Sequence, residues 1–121
     1  MLRAVWNVLI GKNPARVPSG WRVAVVDDAI AVTAPIGVTA KLRVDQIVAI
    51  VIETNDRGPL EDDVWWSLSL DSGHTIRFPQ SADGEQSVVK ILSELPGFDF
   101  EQMNKAMGST ENATFSVWNR S

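Results

Sequence analysis

The side chains able to do acid–base or nucleophilic chemistry are few: one histidine, no cysteine and no tyrosine among 121 residues. His74 stands two residues after Ser72 in "LDSGHTIRF", and a serine beside a histidine is the first half of a nucleophilic site. The second half would be an orienting acid and a serine on a sharp elbow, and no Gly-x-Ser-x-Gly stretch occurs. His74 alternates with Ile76 and Phe78, which reads as a half-exposed histidine starting a strand after the Ser72–Gly73 turn. Four acids, Asp56, Glu61, Asp62 and Asp63, crowd within eight positions, and oxygen donors are what calcium takes. "DRGPLEDD" puts Pro59 where a ligand would fall and lacks the closing glutamate of the helix-loop-helix pattern. It reads instead as a solvated loop whose charge keeps the chain soluble or steers a basic partner. "SADGEQS" offers one glycine before a helix start, where Asp83 and Glu85 would repel an anion. No catalytic residue, metal or cofactor is expected.

The remaining chemistry is recognition. In "VWWSLSLD" the apolar row is Val64, Trp66, Leu68 and Leu70, while Trp65 shares the other face with Ser67, Ser69 and Asp71. Trp66 is therefore a core residue and Trp65 an outward one. Its cover is either the chain's own, from the stripe Leu2, Val5, Trp6 and Leu9 or the tail around Trp118, or a partner's, since tryptophan anchors many interfaces. The partner-binding set this implies is Trp65, Trp6, Leu2, Val5 and Leu9.

Composition narrows the partner. A net charge of −4 with no block of Lys or Arg lacks the electrostatic footprint of a nucleic-acid binder and opposes anionic membranes. The absence of cysteine removes disulfides and thiolate zinc sites and fits a reducing compartment, so a cytoplasmic protein is expected. Apolar residues at 45% and charged residues at 21% are globular proportions, and the length suits one core. "MLRAVWNVLIGKNP" is interrupted at Asn7 and followed by Lys12 and Pro14, so neither a signal peptide nor a membrane span is expected.

Residues 1–14 read as a short amphipathic helix, and 20–118 as a single domain. From Trp21 the period is two: "WRVAVV" and "AIAVTA" flank Asp27 and Asp28 as a tight hairpin, and "PIG" is the next turn. In "VTAKLRV" the row Val38, Ala40, Leu42 and Val44 opposes Thr39, Lys41 and Arg43. "IVAIVIET" is apolar on both faces and is expected to be covered on both. "VWWSLSLD" and "HTIRF" form another hairpin. Asp83 with Gln86 then suggests a capped helix with the stripe Val88, Ile91, Leu92 and Leu95, and Asp99 with Gln102 a second, with Phe100, Met103 and Met107. "ATFSVW" reads as a final strand or a packed tail. The fold class is α+β: an antiparallel β-meander in a partly open barrel or roll, with C-terminal helices and a short N-terminal one.

"VTAKLRVDQIVAIVIET" resembles the middle of small bacterial pleckstrin-homology-like domains, where a strand, a polar break and an "I-x-x-I" strand start follow in this order. Val44 to Ile47 would be the break, and Ile47 and Ile50 the anchors. "LPGFDFEQMNKAMGSTENATFSVW" resembles a tail found in uncharacterised bacterial proteins of this size. The resemblance spans about residues 20 to 118 and implies the same fold. It does not imply phosphoinositide binding, because the first hairpin loop carries Asp27 and Asp28 in place of basic residues. The resulting expectation is a non-enzymatic protein-interaction domain that contacts copies of itself, as a homo-oligomer, or a cognate protein. Attachment to a membrane surface through the N-terminal helix, which has only Arg3 and Lys12 for lipids, and a small-ligand or enzymatic cleft are the alternatives.

Overall fold

Alternating β-branched and small residues form β1 (Arg22–Val26) and β2 (Ala29–Thr33), joined by the two-residue turn Asp27–Asp28. Asp27 takes left-handed backbone at φ 56°, which an aspartate tolerates better than most residues. β3 (Thr39–Arg43) returns after Pro35–Gly37, where Gly37 at φ 96° makes the turn, and the three strands form one antiparallel sheet in the order β1-β2-β3. The structure, a computed structural model, describes residues 20–57 and 62–120. The helix expected over 1–14, with Leu2, Val5, Trp6 and Leu9, lies outside these residues, as does Glu61 of the acidic loop.

The polar break expected after β3 is a single 3-10 turn, Val44–Gln46, where the Arg43 amide donates to Gln46 Oε1 at 2.8 Å. It divides the meander into two sheets. β4 (Ile47–Thr54), β5 (Val64–Leu70) and β6 (Thr75–Pro79) run as successive hairpins, and β7 (Ala113–Asn119) comes back beside β4, giving the order β6-β5-β4-β7. Two irregularities set which side chains enter the core. Ile47 pairs with Leu70 and Ala49 with Ser69, so Val48 is an extra residue and Ile47 and Ile50, three apart, both face inward. On β7, Trp118 pairs with Ile50 and Ser116 with Val51, so Val117 is extra and the neighbours Val117 and Trp118 are both buried. The "I-x-x-I" spacing is thus the sequence trace of a bulge. β4 is not covered on both faces as expected: Ile47, Ile50, Ile52 and Thr54 are buried, but Val48, Ala49, Val51 and Glu53 are only half-buried, because no layer of described residues packs over the outer face along its full length.

The inner rows of the two sheets share one core, with Val23, Ile30, Val32 and Leu42 from the small sheet and Ile50, Ile52, Trp66, Leu68 and Phe78 from the large one. Trp66 stacks on Phe78 with centroids 6.4 Å apart. α1 (Glu85–Ser93) adds Val88 and Leu92 and packs against β1; α2 (Phe100–Met107) adds Ala106 and packs on β7 and β4. Asp99 caps α2 as expected, accepting from the Gln102 amide at 2.9 Å. The stripe of α2 is corrected by one residue: Phe100 is 52% exposed, and the fully buried position is Ala106, where a larger side chain would hold the helix off β7.

The start of α1 also differs from expectation. Asp83 is not the cap; Gly84 is, in left-handed backbone at φ 88°. The reason is a backbone contact. The Val23 amide donates to the Asp83 carbonyl at 2.8 Å and the Asp83 amide to the Trp21 carbonyl at 2.9 Å, so the segment before α1 joins the edge of β1 as a short parallel bridge. A Cβ on residue 84 would lie 2.1 Å from the Val23 carbonyl oxygen. Only glycine fits both the φ and the approach. Gly84→Ala is therefore expected to cost about 3 kcal/mol or more, since left-handed strain and backbone overpacking each cost about 1–3 kcal/mol. The midpoint of urea unfolding measures it.

Candidate functional site

Strand parity places Trp65 on the outer face of the large sheet, opposite Glu53 on β4 and Pro79 on β6, as the sequence implies. It is half-buried, and among the described residues its cover is one the sequence reading missed. Trp21, just before β1, packs edge-to-face on it with centroids 5.6 Å apart. Trp118, the other expected cover, faces the opposite side of the sheet and donates its indole N–H to the Pro96 carbonyl at 2.8 Å. The signal for Trp21 was present but weak: it is the first residue of a period-two run and so has no strand of its own to lie in.

The outer face around Trp65 is held by charge as well. The Arg77 guanidinium lies 5.0 Å from the centre of the Trp65 ring and donates to Glu53 Oε1 at 2.5 Å, crossing β5 to do so. Ser67, the β5 residue opposite Arg77, is small enough to lie beneath and is itself buried. The Trp65 indole N–H donates to the Asp62 carbonyl at 3.3 Å. Trp65 is thus tied down by its own chain on its ring face, its edge and its N–H.

The residues that could have done other chemistry are spoken for locally. His74 is exposed, and its Nδ1 lies 3.0 Å from Ser72 Oγ across a turn, with no acid on the other ring nitrogen among the described contacts. The Asp62 carboxylate accepts from Ser81 Oγ at 2.5 Å and its carbonyl from Asn55 Nδ2 at 3.2 Å. Among the described residues no three His, Cys, Asp or Glu side chains converge as metal ligands, and no helix is long and apolar enough to cross a membrane.

Among the described residues, the most exposed large apolar side chains stand at the β2–β3 hairpin. Ile36, at its tip, is 85% exposed and Val38 is 62% exposed, although Val38 shares its row with the buried Leu42. The strand outruns the body beneath it, so parity alone misplaced this residue. Beyond the tip, the outward row of β3 is Thr39, Lys41 and Arg43, all exposed. A groove of about 350 Å³ runs beside that row, floored by Ala29 and Ala31 and walled by Val26, Lys41 and Arg43. Arg43 donates to Asp45 Oδ1 at 2.9 Å, a bond that, with the Asp45 charge, raises its pKa. Lys41 has no ion-pair partner among the described residues. In sequence, an isoleucine in "PIGV" was the one sign, since a polar residue would serve such a turn equally well.

Among the described residues, one buried side-chain polar atom lacks a hydrogen-bond partner, the Trp66 indole N–H. Leaving a buried donor unpaired costs about 1–3 kcal/mol. Trp66→Phe recovers that cost against the volume it loses, whereas Trp118→Phe loses volume and a hydrogen bond together. Trp118→Phe is therefore expected to destabilise by about 1 kcal/mol more than Trp66→Phe, although Trp66 is the deeper residue. Parallel urea titrations of the two variants decide it.

Comparison with protein-family models, with curated proteins and with solved structures finds no match to this chain.

Proposed function

We propose that this is a non-enzymatic protein-contact domain of pleckstrin-homology-like architecture, working in the cytoplasm, whose contact surface centres on the β2–β3 hairpin. The observation that carries the reading is the exposure of Ile36 and Val38 side by side at that tip. Burying an aliphatic side chain is worth about 2 kcal/mol, and this chain forgoes it twice in a turn that needs neither residue. Two antiparallel sheets of three and four strands with helices after them support the architectural part, and the return of β7 beside β4 is its departure from the simplest form of that fold. The absence of cysteine supports the compartment. Trp65, held by Trp21 and Arg77, serves in this reading as a wall of the body rather than as the leading anchor.

Ile36→Ser with Val38→Ser is expected to leave stability within about 0.5 kcal/mol of the parent, because both side chains already face solvent. Light scattering on native and doubly substituted chains reads self-association. The same two chains used as baits on extract from the source cell read contact with another protein. An assembly or a captured protein lost only with the double variant is the expected result. Unchanged mass and unchanged capture would overturn the reading.

A further inference from the structure

The hairpin ladder tells which backbone groups of β3 are unused. The Ala34 amide donates to the Val38 carbonyl at 2.9 Å and the Val44 amide to the Asp28 carbonyl at 3.1 Å, so residues 38, 40, 42 and 44 point their amides and carbonyls toward β2. Thr39, Lys41 and Arg43, in the alternate pairs, point theirs away from the sheet. The Arg43 amide is taken by Gln46 Oε1. Among the described residues no strand lies beyond β3, so the amides and carbonyls of Thr39 and Lys41 and the carbonyl of Arg43 form an open edge.

The side chains above that edge define what could pair with it. The outward row is cationic at Lys41 and Arg43, on a chain whose net charge is −4. The inward row beside it is apolar, with exposed Val38 at the tip and half-buried Ala40 next. A strand laid along β3 would alternate in the same way: acids over Lys41, apolar residues against Val38 and Ala40. A second copy of β3 does not fit, because pairing the edge with itself brings Lys41 and Arg43 against the same cations, and edge lysines are a known guard against such self-pairing.

We infer that the β3 edge receives an extended segment of a partner protein, with acidic and apolar residues alternating, as a fourth strand of the small sheet. This rests on the protein-contact reading above and names the partner's chemistry. Main-chain bonds to Thr39 and Lys41 supply the docking, and the Lys41 ammonium supplies the preference for acid.

A fluorescently labelled synthetic peptide of alternating Glu and Val, with blocked ends, is the probe, and an alternating Lys and Val peptide of the same length is its control. Anisotropy is expected to show the Glu peptide binding at least about tenfold more tightly than the Lys peptide, a difference of about 1.4 kcal/mol. Lys41→Glu is expected to abolish that preference. Lys41→Pro, which deletes an outward amide and no ladder bond, is expected to weaken the Glu peptide with the fold retained by circular dichroism. Equal binding of the two peptides, or full binding by both Lys41 variants, would overturn the inference. If capture of a natural partner is lost with Ile36→Ser and Val38→Ser but survives both Lys41 substitutions, the edge is overturned while the contact reading stands. Capture indifferent to every one of these changes overturns both.

Discussion

The buried row of β4 is the constraint on which the remaining architecture depends. Ile47, Ile50 and Ile52 lie at zero exposure between β5 on one side and β7 on the other. Because the strand must present all three to the core, it admits an extra residue at Val48, and the Val48 carbonyl so displaced accepts from the Arg120 amide at 2.9 Å. The far end of β4 is fixed by Thr54, whose buried hydroxyl donates to the Glu111 carbonyl at 2.7 Å and ties the turn before β7 to the sheet. Strand pairing then follows on both sides. Once β5 is in register with β4, Trp66 is driven inward and Trp65 outward, and no later event in folding can exchange them without turning every residue of β5 over.

The two sheets meet through that same core, but they are fastened by backbone. The bridge from Trp21 and Val23 to Asp83 links the edge of the small sheet to the start of α1, and it closes only because Gly84 has no side chain. This joint also carries Trp21 to Trp65. The aromatic pair is therefore a consequence of a glycine placed 63 positions after Trp21 in the chain, which explains why the face that looked most available for a partner is half occupied already. The surface left over is at the opposite kind of place, a hairpin tip with exposed Ile36 and Val38 and an edge beside which no described strand lies.

Much of this was legible from residue order. The strands of the two hairpins, the inward row of β5, the Asp99 cap and the place of both helices all follow from period and turn chemistry, which act over a few residues. The errors share one cause. Asp83 was a good cap by type, Phe100 a good stripe residue by spacing, Val38 a good core residue by parity, and β4 a doubly covered strand by composition; each was displaced by a contact, or a missing contact, from a distant segment.

What the sequence determined by itself is the strands of the hairpins, their antiparallel sense and which tryptophan of the pair is buried, because each is settled by alternation within one strand and by the turn beside it. What only the tertiary structure decided is the split into two sheets, the return of β7 beside β4, the Trp21 cover of Trp65 and the open edge of β3. These depend on which strand ends beyond its support and which backbone meets which glycine. Periodicity carries no information about either, since it records the face a residue takes and not the layer, if any, that lies over it.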